Sequence, residues 1–355
     1  MTQESAQDKL NSKLNSVRWK VQNLQSGVQL SSLRTEVGNL DAQVKSMPNR
    51  IQDVREKGYI FSKTIEAKAK EFYGQWDKLC PQVIKQIDAQ VPMLQMELSI
   101  MSAQLGQVEA NAFNPSVGLS MAERFEHALS SFENKVNAAQ RAISGSFEGF
   151  AGKVKELDEE LDRIEWMLQQ LAEACFKLLP TAAGLFAVKA RWARDERMDK
   201  NDPKGVLYLT DQRLIFEQKE EVATKKILFV TTATEKVQNL LLEVPVALVE
   251  KVETSKKGLF KNEDHLTLAF RHGAPVRTAW FHLDGQDCNL WQGYINLAVA
   301  HEYDDERVKP VDEKVIDKMR SIPSKCPNCG APMNQTLLRG QEIVTCEYCQ
   351  YVVRF

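Results

Sequence analysis

The sequence predicts a multidomain α+β protein, and three observations carry that prediction. Apolar residues recur at heptad-like spacing over residues 1–180, which favours long helices. Residues 185–301 show short apolar runs separated by turns and followed by an amphipathic segment, which favours a small sheet closed by a helix. Residues 321–355 contain four cysteines in two pairs, and the charged segment 302–320 is the predicted connector.

The composition is ordinary for a globular chain. Of 355 residues, 43% are hydrophobic and 26% are charged. The net charge of −2 gives no global attraction for nucleic acid or anionic lipid, so such binding needs a local patch. Residues 1–5 lack a secretory pattern, and the apolar run 178–188 is too short to span a bilayer. We therefore expect a cytoplasmic protein, either free or peripheral on the cytoplasmic face of a membrane.

Three apolar seams lie in the helical region. The phase breaks near Gly27, and prolines 48, 81 and 92 predict kinks. Such narrow seams must be buried, either within one chain as an antiparallel bundle or between chains as a coiled coil, and the sequence leaves both open. We expect self-association through this coil. The seams are Leu10, Leu14, Val17, Val21, Leu24, Val28, Leu33, Val37, Leu40, Val44, Met47, Ile51 and Val54; Phe72, Trp76, Leu79, Val83, Ile87, Val91, Leu94, Leu98, Met101, Leu105 and Val108; and Leu129 to Leu178.

Seven strands and one helix are predicted in the middle region. The helix spans 286 to about 301, and its apolar face consists of Leu290, Trp291, Tyr294, Ile295, Leu297 and Ala298. This combination describes a small split barrel. The predicted strands are 185–192, 205–210, 213–218, 226–230, 240–252, 265–270 and 276–283.

The run Gly205-Val-Leu-Tyr-Leu-Thr-Asp-Gln-Arg-Leu-Ile-Phe216 resembles the G-x-L-Y-L-T-x-x-R-L-I-F hairpin of GRAM and bacterial pleckstrin-homology-like (PH-like) domains. The resemblance covers about 185–301 and implies a barrel of seven strands capped by a helix, which agrees with the independent strand count. It implies less about function, because the same barrel hosts many unrelated ligands.

Cys326, Cys329, Cys346 and Cys349 form two C-x-x-C pairs. Each pair can fold as a knuckle, and two knuckles complete the tetrahedral sulfur shell that Zn²⁺ prefers. Four thiolates leave no ligand position for water, so we expect one structural zinc ion and no catalytic metal. The segment resembles short bacterial zinc ribbons that begin C-P-x-C-G, although Gln350 stands where the second knuckle usually has glycine. Residues 335–338 and 342–345 are its predicted strands.

One loop of the barrel combines cations with large apolar residues: Lys251, Lys256, Lys257, Leu259, Phe260 and Lys261. It can contact an anionic membrane or a partner, with the apolar pair entering the interface. The alternative is that the apolar pair packs into the barrel and the lysines are solvated, since neighbouring glutamates dilute the patch.

The function expected from the sequence is that of a non-enzymatic adaptor or scaffold. The coil would oligomerise, and the barrel would dock on a membrane or protein partner. Phosphate-binding loops and hydrolase or zinc-protease motifs are missing from the sequence, and no small-molecule substrate is expected. The ribbon has few cations, which argues against nucleic acid. The alternatives are a nucleic-acid-associated regulator that uses the ribbon, and a subunit that recruits substrates to a larger machine such as an ATPase.

Overall fold

The computed structural model describes residues 5–179, 181–193, 195–197, 199, 201–227, 230–258, 262–320, 323–333, 337–339, 341 and 343–354. The chain divides into two compact units. The first, which we call the helical unit, comprises Met1–Asn49 and Glu66–Glu159. The second, which we call the sheet unit, comprises Arg50–Ile65 and Glu160–Phe355.

Five long helices form from the heptad-patterned region. They are α1 (Ala6–Gly27), α2 (Ser31–Glu56), α3 (Ile65–Ala110), α4 (Pro115–Gly145) and α5 (Glu148–Ala172). Helix α1 begins with a capping box in which Ser5 and Asp8 satisfy each other's free backbone amides. Asn114 caps α4 immediately before a proline that needs no amide partner. The predicted phase break is found just past Gly27, where Leu30 adopts a left-handed backbone conformation.

The three prolines of the helical region lie inside helices that continue past them. Pro48 lies inside α2, while Pro81 and Pro92 lie inside α3, and both helices continue through them. Each proline removes one backbone hydrogen bond, but the apolar seams on either side stay in phase and are buried together. Packing of the seam therefore holds each helix together across its prolines.

Helix α3 runs antiparallel to α1 and α2 within the helical unit. Arg18 of α1 contacts Glu109 near the end of α3 at 2.5 Å, and Arg34 of α2 contacts Asp88 in its middle at 2.7 Å. Residue numbers that rise along one helix thus fall along the other.

Helices α4 and α5 run parallel to α1 and α2. Lys20 of α1 contacts Glu126 of α4 at 3.1 Å, and Gln43 of α2 donates to Asp158 of α5 at 3.0 Å. The resulting bundle has three arms, and the predicted seams lie between them with most of their members buried. Of the two arrangements that the sequence left open, burial within one chain is the one observed.

A seven-stranded antiparallel sheet forms the sheet unit's centre, with strand order β4-β3-β2-β1-β7-β6-β5. Helix α6 (Cys288–Val299) follows the last strand and is capped by Asp287. The helix packs on β5 and β6, where Trp291 and Ile295 of its predicted apolar face are buried. Leu290 and Leu297, which were predicted on the same face, are exposed. The strands are β1 (Gly184–Ala193), β2 (Lys204–Thr210), β3 (Arg213–Ile227), β4 (Val230–Pro245), β5 (Val249–Lys257), β6 (Glu263–Phe270) and β7 (Thr278–Leu283).

The strand count is as predicted, but three of the predicted strands have the wrong bounds. The predicted strand 213–218 is too short, because β3 continues to Ile227. The predicted strand 226–230 is not a separate strand: 226 and 227 end β3, 230 begins β4, and 228 and 229 lie outside the described residues. Strands β3 and β4 form one long hairpin. Residues 240–252 are divided between β4 and β5 by a 3-10 turn at Val246–Leu248. The hairpin's polar outer part is paired through its backbone, so apolar patterning could not reveal it.

The strand β2 is buried on both faces. One face contributes Leu207 and Leu209 to the core, while Tyr208 on the other face packs edge-on against Phe176 at 5.1 Å. The Tyr208 hydroxyl donates to Glu217 at 2.9 Å, and the backbone amide of Cys175 donates to the same carboxylate at 2.6 Å. The segment after α5 therefore covers the second face of the sheet.

The remaining elements are short. The predicted connector contains a 3-10 turn at Glu302–Asp304 and helix α7 (Glu313–Arg320). In the cysteine module, β8 (Ile343–Thr345) pairs with β9 (Val352–Arg354). The sequence predicted 335–338 as the partner of this strand; 335 and 336 lie outside the described residues, and 337 and 338 are not in a strand. In the described part of the chain, no helix is long and apolar enough to cross a membrane.

Replacement of Gly205 by alanine should disrupt the β2–β3 pairing. An added Cβ would lie 1.8 Å from the carbonyl oxygen of Glu217, so the two strands would have to separate. We expect a loss of about 3 kcal/mol in the free energy of unfolding, measured by denaturant titration. Gly293→Ala is the matched control, because that glycine lies in α6 with nothing near its missing Cβ and should gain about 1 kcal/mol. Equal stabilities of the two variants would contradict the close approach.

Candidate functional site

The four cysteines predicted to bind metal come together in the structure. Their sulfur atoms all lie within 4.8 Å of one another. Sγ of Cys326 is 3.6 Å from Sγ of Cys349, and Sγ of Cys329 is 3.7 Å from Sγ of Cys346. A disulfide needs about 2.05 Å, so these are separate thiols.

The spacing fits tetrahedral zinc. Four sulfurs at about 2.3 Å from a central ion would stand about 3.8 Å from each other, close to the two distances observed. The donor set is all sulfur and closed, which is the shell of structural zinc sites. These four residues would hold one Zn²⁺, which would cross-link the two knuckles and leave no position for substrate.

The two knuckles have the same backbone. The amide of Gly330 donates to the carbonyl of Cys326, and the amide of Gln350 donates to the carbonyl of Cys346, both at 2.9 Å. Each donor residue is left-handed, with φ of 71° for Gly330 and 61° for Gln350. The glutamine that departs from the ribbon pattern therefore adopts the conformation that glycine usually supplies.

One neighbour of the cysteines favours metal binding. The side-chain amide of Asn328 lies 3.5 Å from Sγ of Cys349 and lowers the pKa of that thiol to about 6. The backbone hydrogen bond with Ala331 lowers the pKa of Cys329, but the neighbouring thiols raise it to about 12, so one proton is held unevenly within the cluster. A thiolate is the metal-binding form of cysteine, and a bound cation would favour that form at all four sulfurs.

A buried ion network fastens the cysteine module to the sheet. Nη2 of Arg339, in the loop before β8, lies 2.6 Å from Oδ2 of Asp211 in the β2–β3 turn, and its Nη1 lies 2.9 Å from Asp304. Arg307 contacts the same Asp211 oxygen, while the amide of Ala183 donates to the other oxygen at 3.0 Å. Asp211 is only 3% exposed. Burial raises the pKa of Asp211, and the Ala183 amide and both guanidinium groups oppose that change.

Sequence reasoning treated Asp211 as a turn residue. An aspartate in a tight turn is usually exposed, so its local pattern gives no sign of burial. The available signal was indirect: a carboxylate in a buried turn requires cations, and Arg307 lies in the predicted connector while Arg339 lies between the two predicted ribbon strands.

The predicted contact loop is described only in part. Lys251 contacts Glu253 at 2.5 Å, and Lys256 contacts Asp264 and Asp287 at 3.0 and 3.1 Å. Lys257 is exposed at the end of β5. Leu259, Phe260 and Lys261 lie outside the described residues, so the membrane-contact hypothesis for this loop stays a prediction.

Asp264, Asp287 and Cys288 form a second group of metal-ligand type. The ammonium of Lys256 already contacts both carboxylates of this group. Burial raises the pKa of the Cys288 thiol, which keeps it protonated at neutral pH. The two carboxylates therefore form ion pairs with Lys256, and these ion pairs join β5, β6 and the start of α6.

A basic pocket of about 430 Å³ opens on the sheet unit. The strand register places Lys204 of β2 opposite Arg191 of β1, and Arg191 opposite His282 of β7. His282 is in turn opposite His265 of β6, with ring centroids 5.0 Å apart. The pocket is lined by Gln170, Lys189, Ala190, Arg191, Lys204, Gly205, Val206, Lys219, His282 and Asp284.

The cations of this pocket differ in their partners. Lys219 contacts Glu173 at 2.6 Å, so its charge is compensated. Burial lowers the pKa of His265, which is neutral at pH 7 and adds no charge there. Lys189 and Lys204 are exposed, and Arg191 is half-buried. The pocket could not be predicted from the sequence, because its residues come from four strands and are brought together only by the strand pairing.

An aromatic pocket of about 310 Å³ lies elsewhere in the sheet unit, with the rings of Tyr59, Phe61, Phe186, Tyr294 and Tyr303 in its lining. Two of these rings already have an arginine of the same chain against them. The guanidinium of Arg307 lies 5.2 Å from the Phe61 ring, and that of Arg55 lies 5.6 Å from the Tyr59 ring. The rings thus contribute to packing around the buried Arg307.

Comparison with known proteins gives structural similarities at low identity. No family model matches the chain, and no curated protein matches its sequence. The N-terminal PH domain of Vps36 is similar over 36% of this chain and 85% of its own length, at 15% identity and a TM-score of 0.25. The DH/PH domains of p115-RhoGEF are similar over 84% of this chain and 95% of theirs, at 9% identity and a TM-score of 0.20.

A third similar structure is the complex of PDZ-RhoGEF DH/PH domains with GTP-gamma-S activated RhoA. The similarity covers 84% of this chain and 96% of the matched chain in that complex, at 11% identity and a TM-score of 0.23. Similarities this weak assign neither a family nor a function to the chain.

Cys326→Ser should abolish stoichiometric zinc binding. We expect the purified wild-type protein to contain about one zinc per chain by elemental mass spectrometry, because the four sulfurs complete one tetrahedral shell. Cys80→Ser is the control, since that cysteine lies in α3 outside the cluster and its variant should keep its zinc. Retention of zinc by the Cys326 variant would contradict the four-sulfur assignment.

Asp211→Asn should destabilise the sheet unit strongly. The amide cannot neutralise Arg307 and Arg339, so two partly desolvated cations would lose their counter-charge. We expect a loss of about 3 kcal/mol by denaturant unfolding. Asp305→Asn, at an exposed side chain in the same region, should change stability by less than about 0.5 kcal/mol. A neutral effect at Asp211 would show that the network does not fasten the module.

Proposed function

We propose that this protein is a non-enzymatic cytoplasmic adaptor that docks on an anionic, phosphate-bearing membrane surface through the basic pocket of its sheet. The observation that carries the proposal is the alignment of Lys204, Arg191 and His282 directly opposite one another on three adjacent strands.

Like charges placed directly opposite each other on a sheet reduce its stability. An anion held between Lys204 and Arg191 would remove that repulsion, so binding and fold stability are linked there. Lys189 is two residues from Arg191 on the same strand and therefore lies on the same face. Phosphate groups fit such a pocket, because lysine and arginine donate charge-assisted hydrogen bonds to several oxygens at once.

We also propose that the sheet and α6 constitute a GRAM or PH-like domain. Support comes from the hairpin pattern at 205–216 and from seven antiparallel strands followed by a helix, the arrangement that the sequence resemblance implies. The fold alone would not select a membrane ligand, and the pocket's cations supply that part of the proposal.

The cysteine module has a structural part in this proposal. With zinc bound, the two knuckles hold the loop that carries Arg339, and this arginine reaches the turn between β2 and β3. Those two strands also carry Lys204 and Lys219 of the basic pocket. The module would thus support the strands of the docking surface.

Reversal of two pocket lysines should abolish membrane association. We expect the wild type to float with vesicles of about one-third anionic lipid but not with neutral vesicles, and salt should weaken the binding. Lys189→Glu with Lys204→Glu should reduce vesicle affinity by about thirty-fold or more, since each lysine near such a surface contributes about 1 kcal/mol.

The matched control is Lys251→Glu with Lys257→Glu, which makes the same change in net charge on exposed residues of β5. It should float like the wild type. Loss of flotation only in this control would return the docking site to the loop after β5. No flotation of the wild type under any condition would refute membrane docking and favour a protein partner.

A further inference from the structure

Helix α3 carries a second apolar seam, which faces away from the bundle interior. Ala89, Met93, Met96, Ile100 and Ala103 follow one another in steps of four, three, four and three residues. All five are exposed, and the exposed fractions of Met93, Met96 and Ile100 are 55%, 66% and 51%. We call these five residues the outer seam. The heptad spacing is that of a helix with a partner, and α3's partners within the bundle lie on its other seam.

The surface around the outer seam is unusually free of charge. Between Asp88 and Glu109 the only charged residue of α3 is Glu97, and Lys135 of α4 neutralises it. The chain as a whole has 26% charged residues. A strip of 20 residues, about 30 Å long at about 1.5 Å per residue, in which the single charge is compensated, is therefore a local exception.

We propose that the outer seam of α3 is a dimer interface with a second copy of this chain. The self-association expected from the sequence forms part of the adaptor function, and this inference deepens it by naming the surface. Two identical strips without net charge meet without repulsion, as a two-fold contact between copies of one surface requires.

The order of residues along the seam fits an antiparallel two-fold pair. Such a pair sets Met93 against Met96 of the partner subunit, and it sets the small Ala89 against the large Ile100 of the partner subunit. Small residues opposite large ones fill an interhelical layer without voids. Gln82 and Gln107 lie on the same heptad frame at the two ends, where their amides can pair with each other across the two-fold axis.

Dimerisation would double the number of basic pockets in one particle. Two weak contacts with a surface then act together, and the second forms at a high effective concentration. The dimer test uses no lipid, so its outcome is independent of the docking proposal, and either can fail alone.

Sedimentation velocity of the full-length, zinc-containing protein tests the interface. We expect a reversible dimer in the micromolar range and a monomer for Met96→Glu with Ile100→Glu, which would place four carboxylates in the paired seam. The dissociation constant should rise more than a hundred-fold.

Gln95→Glu with Ser102→Glu is the control. Both residues are exposed on α3 outside the outer seam, and this variant adds the same charge to the same helix. It should remain dimeric, and circular dichroism should show all three proteins equally helical. A monomeric wild type at about 100 µM, or a dimer that survives the seam variant, would overturn the proposal.

Discussion

The sheet unit depends on the buried carboxylate of Asp211. Four segments converge on it: the β2–β3 turn that contains it, the residue before β1, the connector through Arg307 and the cysteine module through Arg339. Burial of a carboxylate without partners costs several kcal/mol of folding free energy, on the order of the desolvation penalty of one ion. Asp211 can therefore be buried only while these contacts are made. Directional charge pairing thereby fixes the position of a small module that has little apolar core of its own.

The sequence predicted features whose chemistry is local. Cys326 and Cys329 are three residues apart, and the spacing alone indicated a metal knuckle. The alternation of Leu207, Leu209, Leu214 and Phe216 likewise predicted buried strand faces, and all four are buried.

Features that depend on the pairing register of the strands could not be predicted from the sequence. Lys204, Arg191 and His282 are aligned only because three strands pair in one particular way. Long-range pairing also conceals the ion network, since Asp211 and Arg339 are 128 residues apart. In α3 the difficulty is different, because two heptad seams coexist in one helix. The more apolar seam, which includes Val83 and Ile87, was correctly predicted as interior. The second seam is shorter and contains two alanines, so its spacing alone does not distinguish it from an ordinary solvated face.

The separation of Asp211 from its cations has a consequence for the order of folding during synthesis. A chain made from its N-terminus presents the β2–β3 turn long before Arg307, 96 residues later, and Arg339, 128 residues later. The nascent sheet must therefore tolerate an exposed or protonated Asp211 until the connector emerges. Completion of the turn, and with it closure of the sheet unit, is thus delayed until late in translation, after all seven strands have been made.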